Sequence, residues 1–232
     1  SVEILEKIDD KWKIKLNYTG NIYEILGEYG NIPLPPYIER NMTDEQYKNL
    51  DFERYQTVYA KYEGSVAAPT AGLHFTKEIL DKLEQKGVGK AFVHLNVGLG
   101  TFKPVKVDNI ENHKMDSETF EIPEDSANAI NEAIAQGKNI VAVGTTSVRT
   151  LETTMQKYGK IIPVKDHSEL FIYPGFEFKI VNKIITNFHL PKSTLLMLVS
   201  AFAGREFIFD AYKHAIEHQY RFYSYGDCMF IK

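Results

Sequence analysis

The sequence predicts an α/β protein in which helices and strands alternate around a largely covered sheet. After residue 76, segments with apolar residues at helical spacing alternate with short apolar runs typical of buried strands. The 232 residues are 44% hydrophobic and 25% charged, a composition typical of soluble globular domains and not of disordered chains. A chain of this size buries roughly 70% of its extended surface, so we expect one substantial core, or one core and a small satellite domain.

The net charge, the cysteine count and the length of the apolar stretches exclude several classes of protein. The net charge of −4 argues against a protein that relies on non-specific nucleic-acid binding. A single cysteine, Cys228, excludes an internal disulfide framework and multi-cysteine zinc sites, and it suits a reducing cytosol. The longest apolar stretch, Leu195–Ala203, is far shorter than the ~20 residues of a membrane span, so no membrane association is expected. Because the chain begins at Ser1 without a signal-peptide pattern, we expect it to be trimmed at its front.

The first segment is predicted to be β structure. Val2–Leu16 and Ile22–Leu26 carry alternating apolar and polar residues around turn formers, a hairpin-like pattern. The prolines of Gly30–Pro36 remove backbone donors and favour extended backbone, as in a linker. We therefore predict a domain boundary here, with residues 1–31 in a small β domain and residues 32–232 in the α/β domain.

The elements of the α/β domain follow from capping residues and apolar spacing. Thr76 has the side chain of a helix N-cap, and Gly87 suits a left-handed helix end. In the helix after Pro123, Ile130 and Ile134 are predicted to face the core. In chain order, we predict a helix between Thr76 and Gly87, a strand at Ala91–Leu95, a helix between Pro123 and Gly137, a strand at Ile140–Val143, a turn at Gly144–Ser147, a helix through Val148, Leu151 and Met155, a strand at Ile180–Thr186, a helix from Ser193 or Thr194 to Ala203, a helix beyond Gly204 with Phe207, Ile208, Ala211, Tyr212 and Ala215 on one side, and a strand at Asp227–Ile231.

Two loops that lead from strands into helices are candidate binding sites. Ligands collect at such loops in open α/β sheets, because unpaired backbone N–H groups at the helix N-termini point outward. The first loop is Gly144–Ser147 followed by Arg149, and the second is Asn187–Ser193. Their hydroxyls, amides and cations suit a ribose, a carboxylate or a phosphate. Thr and Ser also cap helices without binding a ligand, so both interpretations stay open.

Two further clusters contain glycine and histidine. Ala67–Thr76 combines small residues, which permit close backbone approach, with His74, which can exchange protons near neutral pH. A buried structural histidine is the competing interpretation. In His94–Phe102, the pattern Gly98-x-Gly100 follows a strand but lacks the third glycine of a dinucleotide fingerprint. That pattern predicts only a backbone turn against a ligand or a neighbouring segment.

No metal, hydrolase or NTPase site is predicted. His214 and His218 are four apart on a predicted helix, but neither a third ligand nor an HExxH motif accompanies them. The chain has no Gly-x-Ser-x-Gly elbow and no P-loop motif. The tail Tyr220–Asp227 mixes aromatic rings with a cation and a carboxylate, which suits an unstacked base as well as ordinary strand packing.

Eight segments form an ordered set of motifs. They are Pro33–Ile38, Arg54–Ala60, Gly64–Thr76, Gly98–Phe102, His113–Met115, Val143–Glu152, Asn187–Leu195 and Tyr223–Asp227. Together they resemble the S-adenosylmethionine:tRNA ribosyltransferase-isomerase family of queuosine biosynthesis. The resemblance covers nearly everything after residue 30, and it is specific because several long motifs agree both in sequence and in order.

The resemblance implies an α/β catalytic domain with a mixed sheet and an inserted small β-barrel domain. Residues 1–31 resemble part of that barrel. Family members have a further stretch of the α/β domain before the barrel, and the barrel here is short. We therefore expect that the chain is a fragment, or that segments are left out of it and the remaining residues are numbered continuously.

The reaction implied by the resemblance transfers and isomerises the ribosyl part of S-adenosylmethionine onto 7-aminomethyl-7-deazaguanine at the tRNA wobble position. Adenine and methionine leave, and the product is epoxyqueuosine-tRNA. S-adenosylmethionine is then a consumed cosubstrate, and neither another cofactor nor a metal is implied. The expected partner is tRNA with a GUN-type anticodon, and the expected enzyme is a cytoplasmic monomer.

Residue roles are inferred from side-chain type at the matched motifs. This chemistry needs acid–base groups at the ribose and adenine, a pocket for the base, and phosphate anchors for the anticodon loop. His74 is the first acid–base candidate, and His189 and Asp227 are the next. The predicted contacts to cosubstrate or modified base are Thr70, Gly72, Gly98, Gly100, Thr101, Phe102, Gly144, Thr145, Thr146 and Arg149. The predicted contacts to tRNA phosphates are Lys103, Lys192 and Arg221.

Two other functions stay open. One is a different S-adenosylmethionine-dependent or nucleoside-dependent transferase, although the absence of an early glycine-rich βα turn counts against the common methyltransferase type. The other is a tRNA-binding module without chemistry. Release of adenine distinguishes the transferase from the binding module, and methyl transfer would leave S-adenosylhomocysteine instead.

Overall fold

The computed structural model describes residues 1–8, 11–40, 45–62, 64–65, 67–98 and 110–232. Within these ranges the chain forms seven α-helices and eight strands, which confirms the predicted mixed α/β class. The chain divides into two compact units, one of residues 1–32 and 40–52 and the other of residues 33–39 and 53–232. No helix in the described ranges has the length and hydropathy of a membrane span.

The first unit begins with the predicted hairpin and then departs from the prediction. Strands β1 (Val2–Ile8) and β2 (Lys11–Leu16) pair antiparallel. The prediction of β structure at Ile22–Leu26 is wrong, because this segment lies in helix α1 (Ile22–Tyr29). Asn21 explains the difference: its side chain accepts a hydrogen bond from the Tyr23 backbone N–H at 2.9 Å and caps the helix. The assignment of residues 1–31 to a barrel stays a prediction.

The second unit contains two three-stranded sheets. Their strands are, in chain order, β3 (His94–Asn96), β4 (Glu118–Ile122), β5 (Val141–Val143), β6 (Val164–Ser168), β7 (Lys183–Asn187) and β8 (Cys228–Ile231). One sheet has the order β3–β4–β6 and is antiparallel throughout. In the other, β7 lies between β5, to which it is parallel, and β8, to which it is antiparallel. The carboxyl ends of β5 and β7 therefore meet at one edge.

The helices after β2 begin or end at several of the predicted capping residues. In chain order they are α2 (Glu45–Arg54), a 3₁₀ helix at Thr70–His74, α3 (Lys77–Gln85), α4 (Glu124–Ala135), α5 (Thr145–Tyr158), α6 (Thr194–Ala203) and α7 (Arg205–Glu217). Thr76 accepts a hydrogen bond from the Ile79 N–H at 3.3 Å, and Ser193 accepts one from the Leu196 N–H at 3.2 Å. Gly87 has the expected left-handed backbone, with φ of +75°.

Several boundaries differ from the predictions. Strand β3 begins at His94 rather than Ala91, and α5 begins at Thr145, within the segment predicted as a turn. Gly144 makes the early start possible, because its φ of +88° lets the chain turn from β5 into α5 at a single residue. Ile134 is 42% exposed instead of buried, since the buried stripe of α4 ends at Ile130. Phe207 is 64% exposed rather than on the buried side of α7.

The main core lies around α5 and the β5–β7–β8 sheet. Helix α5 contributes Val148 and Leu151, which are almost fully buried, and also the buried carboxylate of Glu152. Glu152 accepts hydrogen bonds from the backbone N–H groups of residues 179, 180 and 181 at 2.9, 3.1 and 3.0 Å. A buried carboxylate is tolerated when such donors compensate for lost water. Glu152 thereby fixes the segment that leads into β7.

Candidate functional site

A cleft of about 270 Å³ lies at the carboxyl ends of β5 and β7. Its walls come from the start of the 3₁₀ helix, the first turn of α5, the loop between β7 and α6, and the aromatic residues Tyr37 and Tyr223. This edge of an α/β sheet is where ligands usually bind. The structure therefore brings both predicted loops, Gly144–Ser147 and Asn187–Ser193, to one cavity.

Two helix N-termini border this cleft. The N-cap of α5 is Gly144, which makes no side-chain capping bond, and Thr145, Thr146 and Ser147 of the first turn line the cavity. The N-cap of α6 is Ser193, whose hydroxyl caps the helix and donates to the Leu190 carbonyl at 2.7 Å. The N-terminal ends of helices carry partial positive charge. This side of the cleft therefore favours a carboxylate or a phosphate.

Two tyrosine rings give another part of the cleft an aromatic surface, which favours cations rather than anions. Tyr37 and Tyr223 have ring centroids 5.0 Å apart with an interplanar angle of 47°. The Tyr37 hydroxyl is 2.6 Å from the Ser224 hydroxyl, and burial raises the pKa of Tyr37, so this hydroxyl stays protonated at neutral pH. Aromatic faces of this kind attract cations and stack on planar rings.

Tyr223 has a strained backbone. Its φ of 71° is in the left-handed region, which a bulky residue adopts only when its surroundings require it. Its N–H donates to the Phe188 carbonyl, and its carbonyl accepts from the Gly226 N–H and from Asn187 Nδ2, each at 3.1 Å. Strain held in this way is typical of binding sites.

His74 lies next to the cleft wall rather than in it. Among the described residues that line the cleft, His74 is absent, but its Nε2 is 2.9 Å from Nδ2 of Asn187, which does line it. Burial lowers the pKa of His74, and the Asp227 carboxylate partly opposes that effect. His74 is therefore mostly neutral at physiological pH.

The other two acid–base candidates have different surroundings. His189 lines the cleft but is almost fully buried, its Nε2 is 2.9 Å from the Thr186 hydroxyl, and burial lowers its pKa to about 4. It is thus neutral at physiological pH. Asp227 accepts hydrogen bonds from the Arg221 backbone at 2.7 Å and from its guanidinium at 2.9 Å, and these bonds lower the pKa of Asp227. Both Asp227 and Arg221 lie outside the set of described residues that line the cleft.

The predicted contact residues fall into three groups. Thr70, Gly144, Thr145 and Thr146 line the cleft. Among the described residues, Gly72, Gly98, Arg149 and Lys192 do not line it, although Lys192 stands between Pro191 and Ser193, which do. Gly100, Thr101, Phe102 and Lys103 lie outside the described residues.

Gly72 and Arg149 are explained by packing. A Cβ atom at Gly72 would stand 2.1 Å from the Tyr59 hydroxyl oxygen, so the close approach of the 3₁₀ helix to Tyr59 requires glycine. Arg149 is 5% exposed and donates to the Glu118 carboxylate and to the carbonyls of Ser168 and Leu170. Protein acceptors enclose the guanidinium where α5 packs on the β3–β4–β6 sheet, and a contact of Arg149 to the substrate stays a prediction.

Asn187 is the site residue that sequence reasoning did not single out. It is 3% exposed, ends β7, and connects the 3₁₀ helix, the cleft and the Tyr223 turn through its side-chain amide. Its position at the carboxyl end of a strand was the available signal. In the described ranges, no group of three or more His, Cys, Asp or Glu side chains could hold a metal ion.

Comparisons with known proteins show which family this chain is similar to. The sequence model described as "Queuosine biosynthesis protein" matches residues 1–231. The S-adenosylmethionine:tRNA ribosyltransferase-isomerase of Clostridioides difficile is 51% identical over 99% of this chain and 66% of the relative, and that of Natranaerobius thermophilus is 54% identical over 95% and 62%. The crystal structure of an S-adenosylmethionine tRNA ribosyltransferase from Thermotoga maritima is similar with a TM-score of 0.57 and 45% identity, covering 70% of this chain and 51% of that one. This chain spans just under two-thirds of the length of these curated relatives. It belongs to the queuosine biosynthesis protein family.

Proposed function

We propose that this protein acts as an S-adenosylmethionine:tRNA ribosyltransferase-isomerase. It transfers and isomerises the ribosyl group of S-adenosylmethionine onto 7-aminomethyl-7-deazaguanine at the wobble position of a tRNA with a GUN-type anticodon. The products are epoxyqueuosine-tRNA, adenine and methionine. S-adenosylmethionine is consumed, no further cofactor takes part, and the enzyme works as a cytoplasmic monomer.

The observation that carries this proposal is the pairing of charge and aromatic surface in one cleft. S-adenosylmethionine has a carboxylate at one end and a sulfonium next to the ribose. The N-termini of α5 and α6 suit the carboxylate, and the faces of Tyr37 and Tyr223 suit the sulfonium. Family membership and the names of the relatives support the same cosubstrate.

The tRNA side of the proposal involves cations near the cleft. Lys192 is exposed beside two residues that line the cavity, and Arg221 is exposed beside the Tyr223 turn. Phosphate contacts of such side chains orient a nucleic acid, whereas a pocket reads the splayed base. We assign Lys192, Arg221 and Lys103 to tRNA phosphates on this basis.

The direct test measures the two leaving groups, adenine and methionine. The protein is mixed with S-adenosylmethionine and with tRNA that carries the aminomethyl-deazaguanine base, and adenine, methionine and intact tRNA mass are measured by chromatography and mass spectrometry. The Thermotoga maritima relative serves as the positive control. Because this chain is shorter than its relatives, a parallel reaction supplies in trans the part of the relative that the match does not cover. Release of both products with a matching gain in tRNA mass supports the proposal.

Other outcomes favour the alternatives. S-adenosylhomocysteine instead of adenine would indicate a methyltransferase, and binding of both substrates without product in either reaction would indicate a binding module.

A matched pair of variants tests the cleft itself. Tyr37→Leu removes an aromatic face and should weaken S-adenosylmethionine binding about 2- to 30-fold, the range of a cation–π contact, whereas Tyr37→Phe keeps the face and should bind like the wild type.

A further inference from the structure

The Asn187 side chain makes three hydrogen bonds with three separate segments. Its Oδ1 is 3.3 Å from the Thr70 hydroxyl, which donates to it. Its Nδ2 is 2.9 Å from His74 Nε2 and 3.1 Å from the Tyr223 carbonyl oxygen. A side-chain amide nitrogen has two hydrogens, so these two partners use its full donor capacity.

The Tyr223 carbonyl decides which way the amide faces. A carbonyl oxygen only accepts, so the Asn187 atom beside it must be the nitrogen and not the oxygen. The same nitrogen faces His74 Nε2, and because an amide nitrogen does not accept, Nε2 must accept. A neutral histidine has one N–H, so the proton of His74 is on Nδ1. The backbone at Tyr223 thus sets the tautomer of His74 through the Asn187 amide.

We propose that Asn187 is a positioning residue that holds His74 as the neutral Nδ1–H tautomer, so that His74 serves the proposed transferase reaction as a hydrogen-bond donor through Nδ1. This inference rests on the proposed function and narrows it. Proton uptake at Nε2 would place an N–H against an N–H, so His74 accepts a proton there only after the amide turns away. Turning away would also break the hydrogen bond from Asn187 to the Tyr223 carbonyl, one of the three that hold the strained turn at the cleft wall.

The charged groups around His74 leave this arrangement intact. The Asp227 carboxylate raises the pKa of His74 and the Arg221 guanidinium lowers it, but both are held in an exposed ion pair with each other at 2.9 Å. The largest effect on the His74 pKa is burial, which favours the neutral ring. The neutral form that the hydrogen-bond pattern requires is therefore also the form that the surroundings favour.

Nuclear magnetic resonance of protein with ¹⁵N-labelled histidine tests the proposal without substrates. Long-range ¹H–¹⁵N correlations distinguish Nδ1–H from Nε2–H rings, and His74→Gln assigns the His74 signal among those of the seven histidines. We expect the Nδ1–H form and a pKa below 6.5 in the wild type. In Asn187→Asp, the carboxylate accepts where the amide donated, so we expect an Nε2–H signal and a pKa higher by about one unit or more.

Thr70→Val is the matched control, because it removes the contact to Oδ1 but keeps Nδ2 beside His74, and we expect the wild-type tautomer. An Nε2–H form in the wild type, or the same His74 titration in Asn187→Asp as in the wild type, would overturn the proposal. If Asn187→Asp does not fold, the wild-type spectrum still decides the tautomer.

Enzyme kinetics then connect the tautomer to the reaction. The pH at which adenine release is half-maximal should rise in Asn187→Asp along with the pKa of His74, a change that loss of stability alone would not produce. An unchanged pH profile would contradict the role in the reaction. If the wild type releases no adenine in either reaction but its spectrum shows the Nδ1–H form, the proposed function is refuted and the assigned tautomer still holds.

Discussion

Replacing Arg149 by methionine tests whether this residue holds the fold or the cosubstrate. The guanidinium donates to the Glu118 carboxylate, to the Ser168 carbonyl at 3.1 Å and to the Leu170 carbonyl at 3.0 Å. The side chains of Arg149 and Glu118 are only 6% and 8% exposed. Arg149→Met keeps much of the apolar stem and removes all three donors, so it leaves the Glu118 charge buried without the guanidinium.

The expected cost is large. Removing one partner of a buried ion pair typically costs about 3–5 kcal/mol, because the remaining buried charge loses its counter-charge. For a domain of this size, each kcal/mol lowers the midpoint of thermal unfolding by about 2–4 °C, so the expected decrease is about 6–20 °C. A loss of this size is a substantial part of the free energy of unfolding of a domain, which is about 5–15 kcal/mol.

Urea unfolding followed by circular dichroism measures the effect. The double variant Glu118→Gln/Arg149→Met should be less destabilised than Arg149→Met alone, because it buries no charge at this position. Together with the single variant Glu118→Gln, these proteins complete a double-mutant cycle that gives the coupling energy of the pair, which we expect to be about 0.5–3 kcal/mol. The reasoning fails if Arg149→Met unfolds at the wild-type urea concentration but binds S-adenosylmethionine about tenfold more weakly, which would make Arg149 a binding residue.

Three further predictions concern buried positions. Gly72→Ala places a Cβ 2.1 Å from the Tyr59 hydroxyl oxygen and should lower the free energy of unfolding by about 1–3 kcal/mol. Gly98→Ala, whose Cβ has no atom of the described residues within 4 Å, should change it by less than about 0.5 kcal/mol, and equal effects of the two variants in thermal unfolding would refute this. Glu152→Gln turns an acceptor into a donor opposite backbone N–H groups and should cost about 1–3 kcal/mol, and a wild-type urea midpoint would contradict it. His189 has a pKa of about 4, below its ordinary 6.5, so the unfolded state binds more protons between these values. Stability should therefore be complete above pH 6.5 and fall toward pH 4 by at most about 1.4 kcal/mol per unit from this residue; the same decrease in His189→Gln would show that other groups cause it.

The parts of the fold that sequence reasoning predicted depend on local contacts. Thr76 and Ser193 cap helices through N–H groups three residues away, and Gly204 ends α6 with a φ of +88° that L-residues rarely adopt. The β1–β2 hairpin also joins neighbouring segments. The capping bond of Asn21 is local too, but the alternating apolar and polar residues after it are equally typical of a strand.

The meeting of the two candidate loops was partly predictable. Each loop follows a short apolar strand and leads into a helix, and the carboxyl ends of parallel strands lie at one edge of a sheet. The sequence therefore indicated Gly144–Ser147 and Asn187–Ser193 as binding loops. It did not indicate that β5 and β7 are neighbours, nor that the Tyr37 and Tyr223 rings complete the cleft.

By itself, the sequence determined the α/β class, the capped helix starts and the two loops, because those features depend on residues within one turn of a helix or one strand. Only the tertiary structure decided which groups Arg149, Gly72 and Asn187 contact. Their side-chain type permits ligand contact as readily as packing, and the choice depends on partners far away in the chain: Glu118 is 31 residues from Arg149, and Thr70 is 117 residues from Asn187. In the folded chain, these partners form hydrogen bonds with the guanidinium of Arg149 and the amide of Asn187. The helix N-termini and the aromatic rings then form the binding surface of the cleft.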